Sequence, residues 1–192
     1  MLGITEIRWH GRGGQGVKTA ALLFGDAALG EGLHIQAFPE YGPERMGAPV
    51  QSFNRLSDKP IVIHSGVTNP GIVVVLDPTL MGKVDVAAGL PKDGMLIVNT
   101  SDPPAEIRHK LKLDGVKVFT IDASRISRET IGRDIPNTPM LGALIKISEL
   151  LPIDKVIKDV EKKLKKKFVS KPEVVQGNIT AIKRAYQEVQ AE

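Results

Sequence analysis

The sequence predicts an α/β fold: a mostly parallel sheet with helices on both faces, Rossmann-like, followed by two C-terminal amphipathic helices. Three observations carry this. Short apolar, β-branched runs alternate with segments of helical periodicity. The run Ile72, Val73, Val74, Val75, Leu76 is apolar without a break, as in strands buried on both faces of a parallel sheet. A glycine-rich turn, Gly11-Arg12-Gly13-Gly14-Gln15-Gly16, joins the first strand to the first helix.

Taken in order, a strand is expected over 4–9 and a helix from Val17, with Val17, Ala20, Ala21, Phe24 and Ala28 on one face. Strands follow over 33–38, 50–54, 61–64, 72–76, 95–99 and 116–121. Asp102-Pro103-Pro104 opens a helix, with Asp102 as cap and Pro103 in the first turn. Thr138-Pro139 opens another through Leu150, with Thr138 as cap. In the last fifth, Ile153, Val156, Ile157, Val160 and Leu164 recur at helical spacing. Ser170 and Glu173 form a capping-box pattern before a helix carrying Val175, Ile179, Ile182, Tyr186 and Val189. The expected organisation is one domain, 1–192, whose helical part is 153–192.

Composition narrows the function. Apolar residues make up 42% of the chain and aromatics 4%, so the core is aliphatic. There is no cysteine, which excludes disulfides, thiolate catalysis and a cysteine-ligated iron–sulfur cluster held by this chain. The net charge of +4 lies in the tail: ten Lys/Arg face six Asp/Glu over 154–192, against sixteen of each before it. Only Phe168 and Tyr186 are aromatic there, and both fit apolar helix faces, so a solvated helix is expected rather than a nucleic-acid surface. The N-terminus lacks the pattern of a signal peptide, and no aliphatic run is long enough to span a bilayer. A cytoplasmic protein without membrane contact is expected.

The glycine turn has two readings. Glycines there let backbone N–H groups approach a phosphate at a helix N-terminus, or they simply permit a tight strand-to-helix turn. A dinucleotide site also wants an acid at the end of the second strand. The first one available, Glu40, is displaced by Pro39. Arg12 and Gln15 are large residues for such a turn. A second dense segment, 38–50, contains Glu40, Tyr41, Glu44 and Arg45 among three prolines and two glycines. Rigid loops of this kind beyond strand ends are where α/β folds place binding residues. Asp77-Pro78, at the end of the most apolar strand, suits a sheet-edge contact or a helix cap. His10, His34, His64 and His109 lack metal-ligand spacing, and Ser65 and Ser101 lack a nucleophile elbow. No catalytic residue is assigned to this chain. A stand-alone NAD-dependent oxidoreductase of Rossmann type is the alternative.

Gly11 to Gly16 with Val17-Lys18-Thr19, then Gln36-Ala37-Phe38-Pro39, then the Tyr41-Gly-Pro-Glu44-Arg45 segment running to Val50, resemble the gamma subunit of pyruvate and 2-oxoisovalerate ferredoxin oxidoreductases. Asn137-Thr138-Pro139-Met140-Leu141-Gly142 resembles that family's later helix-opening motif. Met46 departs from the family, in which many members carry a second arginine. The resemblance implies a heterotetramer that oxidatively decarboxylates a 2-oxoacid, transfers the acyl group to coenzyme A and reduces ferredoxin. It implies alpha, beta and delta partner subunits, with thiamine diphosphate and iron–sulfur clusters on those chains and no cofactor held by this one alone. Gly11, Arg12, Gly13, Gly14, Gln15, Gly16, Tyr41, Glu44 and Arg45 are the expected contacts to coenzyme A or to a catalytic subunit, with Arg45 the cationic anchor.

Overall fold

The computed structural model describes residues 3–40 and 47–192. Tyr41, Glu44 and Arg45, three of the expected site residues, lie outside the described residues. Among the described residues one seven-stranded sheet forms from β1 (Thr5–Arg12), β2 (His34–Glu40), β3 (Pro49–Ser57), β4 (Ile72–Val75), β5 (Met95–Asn99), β6 (Lys117–Ile121) and β7 (Gln190–Ala191). Their order is β2-β3-β1-β4-β5-β6-β7. The four central strands, β1, β4, β5 and β6, are parallel. On one flank β3 runs antiparallel to β1 and β2 antiparallel to β3, and on the other β7 runs antiparallel to β6. The helices are α1 (Val17–Gly30), α2 (Pro104–Leu111), α3 (Ala123–Ile131), α4 (Asn137–Ser148), α5 (Ile153–Lys167) and α6 (Pro172–Glu188).

Alternation along β1 sets the two faces. Ile7 and Trp9 join the larger core with α1, α3, α4, α5 and α6. Trp9 Nε1 donates to Asn54 Oδ1 (2.8 Å), and Asn54 Nδ2 donates to the Ala21 carbonyl (2.9 Å), fastening β1, β3 and α1 together. On the opposite face Val73, Val75, Leu96 and Val98 pack with Ile107 of α2 and with Leu80. Helices thus cover both faces, but among the described α-helices only α2 lies on the second one. The two C-terminal helices pack on this domain: Val156, Val160 and Leu164 of α5 and Val175, Ile179 and Ile182 of α6 enter the larger core. Ion pairs Lys155–Glu31 and Lys163–Asp26 tie α5 to the first helical layer.

Several local expectations are corrected. Residues 61–64 form no strand. The segment after Pro60 crosses the open part of the second face, where Gln36 Nε2 donates to the Ile63 carbonyl (2.9 Å) and Arg55 donates to the Gly66 carbonyl (3.0 Å). Side chains from β2 and β3 occupy acceptors that a strand would need. Asp102 does not cap α2: Pro103 precedes Pro104 and is held extended (φ −66°, ψ 153°), so the helix starts one residue later. At α6 the N-cap is Lys171 (φ −137°, ψ 64°), which leaves Ser170 one residue too early to cap. Thr138 is inside α4, and its hydroxyl donates to Asn178 Oδ1 on α6 (2.9 Å) instead of capping. Helix α3 was not expected; Asp122 caps it by accepting from the Arg125 N–H (2.8 Å).

Candidate functional site

The glycine turn leaves the C-terminal end of β1, where α1 carries the chain towards β2 while β4 lies on the other side. This is a switch point of the kind at which α/β sheets bind ligands. Strand β1 extends through Gly11 to Arg12 because β3 pairs opposite both, with Gly11 against Val50 and Arg12 against Pro49. A Cβ on Gly11 would lie 2.5 Å from Val17 Cγ2 and 3.3 Å from Leu76 Cβ, so only glycine lets α1 sit this close to the sheet. Gly14 and Gly16 take φ of 97° and 81°, a left-handed conformation that turns the chain into α1.

Asp77 organises the turn from across the sheet. Its Oδ1 accepts from the N–H (2.9 Å) and hydroxyl (2.6 Å) of Thr79, capping a single 3-10 turn at Pro78–Leu80. Its Oδ2 accepts from Arg12 Nε (3.0 Å) and Gln15 Nε2 (2.9 Å). Burial by itself would push this carboxyl up. The hydrogen bonds from Thr79 and Gln15, with the Arg12 charge, outweigh it and hold the group below the usual carboxylate range. Gln15 also closes the turn on itself, its Oε1 accepting from the Arg12 N–H (2.8 Å). Its size, unusual in a dinucleotide turn, is what lets it bridge Arg12 and Asp77.

Arg12 spans three partners: Asp77, the Thr79 hydroxyl (2.9 Å) and the Gly47 carbonyl (3.0 Å). The last contact joins the two dense sequence segments. The Gly13 N–H donates to the Ala48 carbonyl (3.0 Å), and the Gly47 N–H to the Gly13 carbonyl (3.4 Å). The glycine turn and the base of the 41–50 segment therefore form one bonded unit.

His10, one residue before the turn, is buried on the second face beside Arg8. Neither its Nε2 nor Arg8 Nε has a hydrogen-bond partner. Burial first, and the Arg8 charge second, push its pKa down to about 4 from 6.5. The unfolded chain binds this proton between pH 6.5 and 4 while the folded one does not, so stability falls as pH drops through that window. Lowering pH from 7.5 to 5 should cost about 2 kcal/mol at this site. Urea unfolding at both pH values checks it: the pH difference should shrink by about that amount in His10→Gln.

On the other side of the turn lies a groove of about 570 Å³. Gly14, Gly16 and Thr19 form one end, Arg133, Asn137 and Thr138 a second wall, and Lys167, Phe168, Lys171 and Glu173 the approach from the helical tail. The expected site residues Gly14 and Gly16 line it. Arg12 is turned towards Asp77 instead. Arg133, Asn137 and Lys171 were not anticipated; the run Asn137-Thr138-Pro139 signalled a motif but not which face it would meet. Among the described residues no cluster of His, Asp or Glu could hold a metal ion, and no helix is long and apolar enough to cross a membrane.

A dinucleotide-binding unit would place β2 beside β1 and parallel to it. Here β3 intervenes, so Glu40 sits two strands away from the glycine turn. The alternative as an NAD-dependent enzyme loses its ribose-binding acid on geometric grounds.

Similarity to known proteins agrees with this local departure. The chain is 46% identical over 184 residues to pyruvate synthase subunit PorC of Thermotoga maritima, covering 96% of this chain and 94% of that protein. It is 45% identical over 185 residues to the pyruvate/ketoisovalerate oxidoreductases common subunit gamma of Pyrococcus abyssi, covering 96% and 97%. The crystal structure of the Thermotoga maritima pyruvate oxidoreductase subunit PORC superposes with a TM-score of 0.86 at 42% identity, over 98% of both chains. The same fold recurs within a longer chain, 2-oxoglutarate:ferredoxin oxidoreductase of Magnetococcus marinus, with a TM-score of 0.76 at 19% identity, covering 97% of this chain and 31% of that one. The sequence profile named pyruvate ferredoxin/flavodoxin oxidoreductase matches residues 6–188. With nearly its whole length matched, this chain belongs to the pyruvate ferredoxin/flavodoxin oxidoreductase family.

Proposed function

We propose that this chain is the gamma subunit of a multi-subunit pyruvate or 2-oxoisovalerate ferredoxin oxidoreductase, working in the cytoplasm with alpha, beta and delta subunits. The observation that carries this reading is end-to-end similarity to proteins named as such subunits. The enzyme oxidatively decarboxylates a 2-oxoacid, passes the acyl group to coenzyme A and delivers two electrons to ferredoxin. Thiamine diphosphate and iron–sulfur clusters supply the carbanion and electron-transfer chemistry from partner chains; the cysteine-free sequence here has no ligands for such a cluster. The contribution of this chain is positional. The unit made by the glycine turn, Asp77 and Gly47 to Val50 faces a catalytic subunit or coenzyme A in this reading, and Tyr41, Glu44 and Arg45, outside the described residues, are the side chains proposed to act with it.

Native purification through a tag on this chain tests the reading. Three further subunits should accompany it in fixed stoichiometry, and recovery of the chain alone would falsify the assignment. In the reconstituted enzyme, Arg45→Ala should raise the KM for coenzyme A if Arg45 touches the ligand, and weaken assembly if it touches a subunit. Gly14→Val, strained at φ 97°, should impair the same property. Wild-type assembly, turnover and KM in both variants would remove these residues from the site.

A further inference from the structure

We infer that the outer edge of β2 is an interface at which this chain pairs with a second copy of itself, continuing the sheet across a two-fold axis at Gln36. Strand β2 ends the sheet among the described residues. The bonding pattern of its neighbours fixes which backbone groups it leaves open. Along β1 the carbonyls of Glu6 and His10 accept from the N–H groups of Gly71 (2.9 Å) and Leu76 (2.7 Å) on the β4 side. The odd-numbered groups of β1 therefore face β3, where Asn54 lies opposite Ile7 and Ser52 opposite Trp9. That leaves the odd-numbered groups of β3 for β2, with Arg55 opposite Gln36 and Phe53 opposite Phe38. The N–H and C=O of Ile35 and Ala37 consequently point out of the sheet, together with the C=O of Pro39.

Apolar side chains gather along this edge. Large exposed ones among the described residues are Ile4, Leu22, Leu29, Val62, Ile63 and Val169. Gly25 of α1 packs on β2, where a Cβ would lie 3.0 Å from Ile35 Cδ1 and 3.3 Å from Ala37 Cβ. Leu22 and Leu29 stand three positions before and four after it, on the same helix face beside the strand. On the opposite face of the sheet Gln36 Nε2 donates to the Ile63 carbonyl (2.9 Å), which sets Ile63 and its neighbour Val62 beside β2. Natural sheet edges are guarded by charge, especially lysine, or by proline. Between His34 and Glu40 this strand carries no charged side chain, and Pro39 is its one guard.

The open groups match those of a second copy. In an antiparallel pairing centred on Gln36, Ile35 lies opposite Ala37 of the second copy, and each such pair exchanges both of its hydrogen bonds. Pro39 falls opposite Leu33, whose own N–H is already taken by the Ala28 carbonyl (3.2 Å), so the donor that proline lacks falls outside the ladder. The usable stretch is short and self-complementary, as an isologous contact requires. Charge permits it: His34 meets Phe38 and Glu40 meets Gly32, so no like charges stand opposite each other. The two copies of α1 come side by side on one face of the joined sheet. There Leu22 and Leu29 of each leave water, as Val62 and Ile63 do on the other face. The pairing rests on this edge and not on the subunit assignment.

Sedimentation equilibrium of the full chain, joined to residue-resolved amide exchange, tests the pairing. The chain should dimerise, to twice its 20.8 kDa mass. The Ile35 and Ala37 amides should gain protection as the dimer forms, while those of Gln36 and Phe38, bonded to β3, are protected throughout. Leu22→Glu/Leu29→Glu puts like charges into the contact at two exposed positions and should weaken dimerisation about a hundredfold or more. Ala37→Pro removes an outward N–H without touching the β3 ladder and should do the same, with thermal unfolding of both variants as the check on folding. In a native complex purified through this chain, two copies with protected Ile35 and Ala37 amides support the pairing. A chain that stays monomeric alone and single in the complex overturns it. So does a dimer in which the Ile35 and Ala37 amides exchange freely, or one that the folded variants leave undiminished. Protection of the two amides only in a complex holding one copy would assign the edge to a different chain and overturn the self-pairing, while leaving the subunit reading intact. Dimerisation without co-purifying subunits would retain the interface and remove that reading.

Discussion

Asp77→Ala is expected to lower the unfolding free energy by about 3 kcal/mol and to release the glycine turn from the sheet. Four donors converge on this carboxylate: the backbone and hydroxyl of Thr79, Gln15 and Arg12. Alanine leaves the Arg12 guanidinium half-enclosed without its counter-charge, and it leaves the Gln15 amide without its acceptor. Partial exposure of Arg12 keeps the loss below that of a fully buried pair, since solvent can rehydrate the cation. Asp77→Asn should cost less, about 1–2 kcal/mol, because its amide oxygen can still accept from Thr79 while the charge is gone. Urea unfolding at pH 7 measures both. The pH dependence has a definite sign. The folded-state pKa of Asp77 is depressed, so its stabilisation is complete above the ordinary carboxylate pKa and is lost as pH falls through the lower folded value. Wild type and Asp77→Ala should therefore converge in stability in acid. Amide exchange adds a local readout. The Gly13 N–H, bonded to the Ala48 carbonyl, should lose protection in Asp77→Ala more than the β4 amides do.

This cluster marks how far the sequence could be read. The buried strand at 72–75 was legible because four consecutive β-branched residues have no polar face to offer. The helices of the tail were legible because Val156, Val160 and Leu164 repeat at the helical period. Asp77 was visible as a residue of interest at a strand end, but its partners Arg12 and Gln15 are more than 60 residues away in the chain. Only the parallel pairing of β1 with β4 brings them within hydrogen-bond distance. The groove was invisible for the same reason: its walls come from α1, the loop before α4 and the α5–α6 connection, and no local periodicity couples them. Gln15 and Arg12 read as intrusions in a dinucleotide fingerprint because that fingerprint assumes a turn exposed to its ligand. Here one side of the turn is bound to the sheet edge. The failed cap at Asp102 traces to one omission, the bias of a residue before proline towards extended backbone.

Gly142→Val should be the most damaging single change in the helical layer. Gly142 lies in the Asn137-to-Gly142 motif, on the face of α4 that meets α6. A Cβ there would lie 2.3 Å from the Ile182 carbonyl oxygen and 3.0 Å from Ile182 Cα, both backbone atoms that cannot rotate away. Helix propensity alone favours alanine over glycine by about 1 kcal/mol, so the contact must overcome that gain before any loss appears. Against a backbone obstacle it does: Gly142→Ala is expected to cost about 2 kcal/mol net and Gly142→Val 3 kcal/mol or more, by forcing α6 outward. The helix has little freedom to comply, because its own Gly177 sits against the Thr130 carbonyl, where a Cβ would lie 2.3 Å from the oxygen. Gly14→Ala gives the contrast. It meets nothing within 4 Å and carries only the strain of φ 97°, about 1–2 kcal/mol. Urea unfolding of the three variants should rank them in that order. Displacing α6 also moves Asn178, which holds the Thr138 hydroxyl beside Asn137. Asn178→Ala should therefore cost less stability in a folded Gly142→Ala than in the wild-type background. Equal costs of Asn178→Ala in the two backgrounds would mean that the register of α4 on α6 does not hold the bond between Thr138 and Asn178.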